Sequence, residues 1–253
     1  MSISRLHTST ILISRMVIRR RMVPILMFVI PSVFFLVVYL TTSERVVPFE
    51  VASLIPQRFI EVSERFSSLV FFSVASVGFL SSYIGLVLIQ DSIDVNKRLI
   101  ICGYHPSELL MSNLIVLLLI IVFVAVYTAL AILLFFRPEQ FVLFCFALVL
   151  SGLVYGFYGL LVGSIVKGEL EGILFIVLLA NIDAGWLQNP LFYSEALNKD
   201  LIKYLPAYYP SQMAIVAAFE SLSVSKVLIG SVGYSAVFAG LANVIYYLKM
   251  RKV

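Results

Sequence analysis

The chain has 253 residues, of which 61% are hydrophobic and 13% are charged, and its formal net charge is +4. A soluble domain is about half apolar and about one-quarter charged. This composition, with a mean hydropathy of +1.05, therefore excludes an ordinary water-soluble fold. No polar stretch is long enough to fold separately, so we expect one membrane domain over residues 1–253. A basic excess is typical of the cytoplasmic loops of membrane proteins, and we predict no nucleic-acid partner.

Six apolar segments are long enough to cross a bilayer, which requires about 20 residues of helix. They cover residues 22–40, 66–89, 109–136, 141–166, 170–187 and 226–248. No small-residue cleavage site follows the first segment, so we interpret it as a retained span and not as a signal peptide. The fifth is the weakest because two polar residues, Asn181 and Asp183, interrupt it. We predict an all-α, polytopic membrane protein with six transmembrane helices.

The distribution of basic residues predicts the orientation. Most of the 18 Lys and Arg residues fall on one side of the membrane if the N-terminus is inside, and Arg19, Arg20 and Arg21 directly precede the first span. Basic residues accumulate in cytoplasmic loops. We therefore expect a multi-pass protein of the cell membrane with both termini cytoplasmic. Cys102 and Cys145 fall in a loop and in a span, respectively, and we expect no disulfide.

The inner segment 90–108 mixes charged and apolar residues between the second and third spans. Such a segment suits a short helix that lies along the membrane surface, and an ordinary connecting loop is the alternative. Pro106 and Ser107 indicate a stop followed by a new helix start. The acidic, basic and histidine residues of the segment are Asp91, Asp94, Lys97, Arg98, His105 and Glu108.

A glycine pattern marks the fourth span, where Gly152, Gly156, Gly159 and Gly163 are spaced to share one helix face. Small residues let a second helix backbone approach closely in lipid. The partner helix could belong to the same chain or to a second copy at a dimer seam. We favour packing within the chain, because such contacts occur in most helical bundles.

The outer segment 188–225 is too short and polar to span, yet too apolar for a fully solvated loop. One interpretation is a re-entrant pair of short helices buried against protein, and the other is a surface loop with an interfacial aromatic belt. An ionisable residue at membrane depth is costly and is often functional. For Asp183 we favour the simpler interpretation, in which its side chain is solvated at the outer interface.

Several motifs are absent from the sequence. It contains no phosphate-binding loop, no His-Glu-x-x-His zinc motif and no Gly-x-Ser-x-Gly nucleophile motif. The two histidines, His7 and His105, fall in predicted inner segments that are far apart in sequence. We therefore predict no enzymatic activity, no metal site and no cofactor in this chain.

The order of these features resembles the membrane subunit of type 2 ABC exporters, permeases that pair with a separate ATP-binding-cassette subunit. The resemblance covers nearly the whole chain. Residues 97–110 are similar to the family's loop of charged residues, paired leucines and a proline-serine turn. Residues 159–167 are similar to the end of its fourth span, and residues 189–192 and 204–210 are similar to its outer proline pair.

The resemblance implies partners and a mechanism. Two permease subunits, identical or paralogous, would form the translocation path. A coupling helix at 91–104 would dock on the ATPase, which would hold ATP and magnesium, and the outer segment 188–220 would gate the exit. The implied ATPase-coupling residues are Asp91, Asp94, Lys97, Arg98, His105 and Glu108. The implied path or gate residues are Asn181, Asp183, Asn189, Pro190, Pro206, Tyr208, Tyr209 and Pro210. A secondary transporter, or a membrane assembly scaffold without an ATPase partner, is the alternative.

Overall fold

The computed structural model describes residues 3–51, 58–189, 192–193, 196–220 and 225–250. Its helices in chain order are α1 (Ile3–Arg19), α2 (Met22–Thr41), α3 (Glu64–Ile101), α4 (Pro106–Ile132), α5 (Phe141–Ile165), α6 (Glu169–Ile182), α7 (Lys199–Lys203), α8 (Tyr208–Phe219) and α9 (Ser225–Met250). A π-turn (Asp183–Leu187) extends α6, and the strands β1 (Val46–Val51) and β2 (Arg58–Ser63) form an antiparallel pair. Within these ranges six helices, α2 to α6 and α9, are long and apolar enough to cross a membrane. This confirms the predicted all-α membrane fold.

Helix α3 forms the centre of the bundle and packs along α5, because glycines bring the two backbones together. A Cβ atom on Gly159 of α5 would overlap the carbonyl group of Ser82, and one on Gly163 would lie 3.0 Å from the carbonyl oxygen of Leu86. The other two glycines of the predicted face, at 152 and 156, meet Ile121 of α4. All four are buried inside this chain.

The path of α3 beyond residue 89 differs from the sequence-based prediction. A separate surface helix was expected at 91–104, but α3 continues without a break to Ile101. Charged residues do not interrupt a helix, and no Gly or Pro occurs between residues 86 and 102. The turn comes at Gly103, whose φ of +87° is one that glycine adopts readily, and α4 begins at Pro106.

Helix α1 was not predicted as a separate element. Its buried positions, Ser9, Ile13 and Val17, recur every four residues and face α3 and α4. The hydroxyl oxygens of Ser9 and Ser112 lie 2.5 Å apart. Most other α1 side chains are exposed, so the helix has one packed face. The β1–β2 pair, which lies between the first two predicted spans, was also not predicted.

The bundle has two distinct ends. The end that holds α1, the end of α3 and the start of α4 is called here the terminal end, because the last turn of α9 also lies there. The Lys249 ammonium group donates to the carbonyl oxygen of Ser164 at 3.2 Å. The opposite end, which holds β1, β2 and residues 133–140, is called the hairpin end. There the Gln140 N–H donates to the carbonyl oxygen of Ala217 at the end of α8 (2.9 Å).

Candidate functional site

The last part of α3, residues 91–102, is called here the α3 tip. The 38 residues of α3 rise about 57 Å, which exceeds the roughly 30 Å of a bilayer hydrocarbon core. One face of the tip exposes Asp91, Asp94, Val95, Arg98 and Ile101, spaced three and four residues apart. Ile101 is 78% exposed. The face thus combines charged and apolar side chains, as protein-binding surfaces do.

The opposite face of the tip is braced against the rest of the chain. The Asn96 amide donates to the Tyr246 hydroxyl of α9 at 2.8 Å, and Asn96 is almost fully buried. Near the start of α1, the Arg5 guanidinium donates to the carbonyl oxygen of Gly103 at 2.9 Å. Helix α1 therefore runs antiparallel to the tip, since its other end contacts Asp91.

That second contact is made by Arg20, which joins three segments of the chain. Its guanidinium donates to both carboxylate oxygens of Asp91, at 2.7 and 2.8 Å, and also to the carboxylate of Glu169 in the first turn of α6. Burial opposes the charge of Arg20, but the hydrogen bond and charge of Asp91 and the charge of Glu169 outweigh it, so the pKa of Arg20 is raised. In the sequence, the basic residues before the first span indicated only the orientation of the chain. That Asp91 and Glu169 are the partners of Arg20 could not be predicted from it.

The other predicted coupling residues divide into two groups. Lys97 donates to Asp94 at 3.1 Å on the tip, and Arg98 is exposed there. His105 and Glu108 instead begin α4, because the His105 ring accepts from the Ser107 N–H and the Glu108 carboxylate accepts from the His105 N–H at 3.4 Å. Glu108 is only 6% exposed, so its place is within the fold and not on a free surface.

Asp183 is the centre of a second polar cluster, deep inside the bundle. Its side chain is fully buried, so the preferred interpretation of a solvated carboxylate at the outer interface is wrong. The carboxylate accepts from the Tyr155 hydroxyl at 2.5 Å, the Ala207 N–H at 2.8 Å and the Gln188 amide at 3.2 Å. Within the described residues, no Lys or Arg pairs with it.

The depth of Asp183 follows from the helix that carries it. Asp183 comes 14 residues after Glu169, a rise of about 21 Å, so a hydrocarbon core about 30 Å thick that begins at this charged first turn of α6 would enclose it. The backbone N–H of Ala207, the N-cap residue of α8, donates to this carboxylate. A carboxylate at the positive end of a helix is stabilised by the helix dipole, which partly offsets the cost of burial.

Helix α8 runs from Asp183 back to the hairpin end. At its last turn, the Glu139 N–H donates to the carbonyl oxygen of Ala218 at 3.1 Å. Ten of the positions between Tyr208 and Ala218 are buried, and only Tyr209 among them is partly exposed. This helix of 12 residues is too short to span a bilayer, yet it is enclosed by protein on nearly all sides.

The remaining predicted gate residues surround this helix start, with two exceptions. Pro206 and Tyr208 are buried. Pro210 lies in the first turn of α8, where a backbone N–H has no carbonyl partner within the helix, so the proline costs no hydrogen bond. Tyr209 packs closely on Gly230 of α9. Asn189 belongs to the segment just after the π-turn and not to α8, and it is half-buried. Pro190 lies outside the described residues.

Sequence reasoning missed two side chains of the Asp183 cluster, Tyr155 and Gln188. A tyrosine in an apolar span needs a partner for its hydroxyl, and that signal was available for Tyr155. The identity of the partner was not, because Asp183 follows 28 residues later on another helix.

A lateral groove lies on the other side of α6, between α2, α3 and α6. Its volume is about 420 Å³, and Asn181 is one of the residues that line it. The structure thus separates the two polar residues of the fifth span: Asp183 faces inward and Asn181 outward.

No protein-family model and no curated protein matches the chain.

Proposed function

We propose that the protein is the transmembrane subunit of an ATP-binding-cassette exporter and that the α3 tip receives the ATPase subunit. The exposed face of the tip is the observation that carries this proposal. It projects beyond the expected membrane thickness and carries Asp94, Val95, Arg98 and Ile101 side by side. An exposed apolar side chain next to charges is typical of a site that binds another protein.

The continuity of α3 supplies a physical route for coupling. Arg98 and Phe79 lie on the same unbroken helix, about 28 Å apart along its axis. A push on the tip would move the membrane part of α3 without an intervening hinge. Arg20 would pass part of that movement to α2 and to the first turn of α6, because it holds Asp91 and Glu169 together.

The proposal assigns the exit gate to α8 and the Asp183 cluster. A short, enclosed helix that starts inside the hydrocarbon core and returns to the hairpin end has the geometry of a re-entrant segment. In this assignment both termini are cytoplasmic, the cell membrane holds the protein, and a second permease subunit completes the path. ATP and magnesium would bind to the partner ATPase.

A cross-linking experiment through Cys102, an exposed natural thiol on the tip, tests the proposal. A maleimide-benzophenone probe is attached in native membranes and illuminated, and the captured protein is sequenced. We expect a protein with a phosphate-binding loop, captured less when Arg98→Glu is introduced. Cys102→Ser, which leaves the partly buried Cys145 in place, is the matched control. Capture of proteins without a phosphate-binding loop, or capture insensitive to Arg98→Glu, would refute the proposal.

A second candidate is a transporter driven by an ion gradient, and the Asp183 cluster favours it specifically. Buried carboxylates and helix ends near the membrane midplane are typical of secondary transporters. Proteoliposomes that contain only this chain discriminate the two. Dissipation of a proton or sodium gradient, abolished by Asp183→Asn, would support the second candidate. No dissipation is expected for a permease that lacks its ATPase.

A further inference from the structure

We infer that the groove between α2, α3 and α6 binds a neutral amphiphile, with its apolar body against the helices and a hydrogen-bonding group at Asn181. As a transport substrate this ligand rests on the proposed function. As an occupant of the groove it depends only on the residues described next.

The groove has the size and lining of a ligand site. Its volume is about 420 Å³, within the roughly 300–1,000 Å³ range of small-molecule pockets, which are mainly apolar and aromatic with few polar groups. The residues that define it include Val33, Phe34, Phe72, Phe79, Val177 and Asn181. The rings of Phe34 and Phe72 stack with centroids 5.4 Å apart and bridge α2 and α3, so the walls are tied together.

Asn181 supplies the evidence about what fills the groove. It lies 12 residues after Glu169, a rise of about 18 Å, which places it near the middle of a hydrocarbon core about 30 Å thick. Its side chain is exposed and makes no hydrogen bond within the described residues. Beside it, Gly185 contributes no side chain, and a Cβ there would lie 3.6 Å from the side-chain Oδ1 of Asn181. The carboxamide is therefore open to an occupant.

A simple acyl chain does not match this site. A polar group that faces hydrocarbon without a partner is costly, and an alkyl chain offers neither a donor nor an acceptor. A carboxamide both donates and accepts, so a hydroxyl, ester or amide group satisfies it. None of the residues that line the groove is charged, which excludes an ionic group at this depth. The matching ligand is apolar along most of its length and carries one neutral hydrogen-bonding group.

Photolabelling of the full chain in phosphatidylcholine nanodiscs tests the inference. One probe is a diazirine-bearing fatty alcohol, and the second is the matching diazirine alkane, which lacks the hydroxyl. We expect the alcohol to label residues 72–79 and 177–185 more strongly than the alkane does. The variant Asn181→Leu should reduce labelling by the alcohol about five- to tenfold, the value of one hydrogen bond, and leave labelling by the alkane unchanged.

A matched control distinguishes the groove from the general lipid surface. Leu174 lies on the same helix, is 63% exposed and does not line the groove, so Leu174→Ala should leave both labelling patterns unchanged. Equal labelling by the two probes, or no effect of Asn181→Leu, would show that ordinary lipid chains occupy the groove and would overturn the inference. Disulfide dimers of Asn181→Cys that exclude the probe would overturn it in favour of a second copy of the chain.

The proposed function and this inference fail separately. Loss of ATPase capture at Cys102 would refute the exporter but leave the labelling pattern intact. Loss of selective labelling would refute the ligand but leave ATPase capture intact.

Discussion

Two helix contacts in this bundle are held by opposite means. Between α3 and α5 the backbones approach each other because glycines leave no side chain between them. Between α6 and α8 the contact depends on one carboxylate, that of Asp183, which accepts from the Ala207 N–H. The first contact is fixed by shape over many residues, whereas the second is fixed by a few hydrogen bonds.

The difference indicates which part of the protein can move. Close-packed surfaces resist small displacements, because any shift produces overlaps or voids. A hydrogen-bonded contact can open if water or another polar group replaces the lost partner. We therefore expect α3, α5 and α8, which pack on one another, to move as one body, and α6 to be the element that separates from α8. Four predictions test this contrast, in order of decreasing effect.

The largest effect is expected for Gly159→Leu. Even a Cβ atom at this position overlaps the α3 backbone, so the two helices must separate and lose their packing. Overpacking costs about 1–3 kcal/mol and occasionally more, and we expect the upper end or a failure to fold. The measurement is the fraction that stays monodisperse after heating in detergent. Gly240→Leu is the control, since nothing lies within 4 Å of a Cβ there. Equal losses in both variants would contradict a contact fixed by shape.

A smaller but specific effect is expected for Asp183→Ala. The change removes the acceptor for the Ala207 N–H and the Tyr155 hydroxyl, and each buried donor left without a partner costs about 1–3 kcal/mol. Asp183→Asn keeps one carbonyl acceptor and should cost less. The readout is labelling of a cysteine introduced at Ser211 in α8, which should increase in the order wild type, Asn, Ala.

The control for that experiment is Asp200→Ala. Asp200 is exposed and bonds Lys203 on its own short helix, so its removal should not change labelling at position 211. If Asp183→Ala leaves the same cysteine as protected as in the wild type, the contact of α8 does not depend on the carboxylate.

Tyr155→Phe is expected to have an effect of about 1 kcal/mol, because it removes one hydrogen bond but keeps the ring in place. Combined with Asp183→Asn, the two changes should be less than additive, because they break the same interaction. The measurement is a double-mutant cycle on thermal stability. Strict additivity would mean that the two side chains stabilise the fold independently.

The smallest effect is expected for Arg20→Gln at the terminal end. Arg20 and its carboxylate partners are each about 28–41% exposed, so solvent screens the pairs and we expect a loss of about 1 kcal/mol or less. The loss should shrink further in high salt. Arg19→Gln, which changes an exposed neighbour, should cost less and show no such salt dependence.

The effect of Arg20 should not vary with pH between about 5 and 9. A raised pKa stabilises the fold at every pH below the unfolded value, and the contribution is lost only as the pH rises through the folded pKa. For an arginine that loss falls beyond the range in which proteins remain folded. A difference between Arg20→Gln and wild type that varies with pH in this range would contradict the prediction.

The sequence was sufficient for the membrane fold because long apolar runs have one physical solution in lipid. It was insufficient where the structure of a segment depends on the element that packs against it. Helix α1 buries only a narrow face, which includes Ile13 and Val17. That face can be recognised only when the positions of α3 and α4 are known. The charges after residue 90 suggested a break, although α3 continues to Ile101 and the chain turns only at Gly103.

The candidate site was predictable only in part for the same reason. The sequence identified Asp183 as a polar residue in a span, but hydropathy predicts neither its depth in the membrane nor the side of the helix on which it lies. Its burial depends on Tyr155 and on the backbone of Ala207, which are brought together by the fold from three separate stretches of sequence. The prolines and tyrosines around Tyr208 indicated an unusual segment, and their positions around a helix start could be known only from the structure.

The packing of α1 against the α3 tip and α4 has a consequence for biosynthesis. Helix α1 leaves the ribosome before α3 and α4, and the residues that cover its packed face, including Ser112 and the α3 tip, are synthesised about 70 to 100 residues later. Until then the helix has no intramolecular partner, and its apolar stripe must lie on the membrane surface or be held by a chaperone. The docking of α1 should therefore coincide with the insertion of α4. A protease site placed before Arg5 would then become protected only in nascent chains that extend beyond α4.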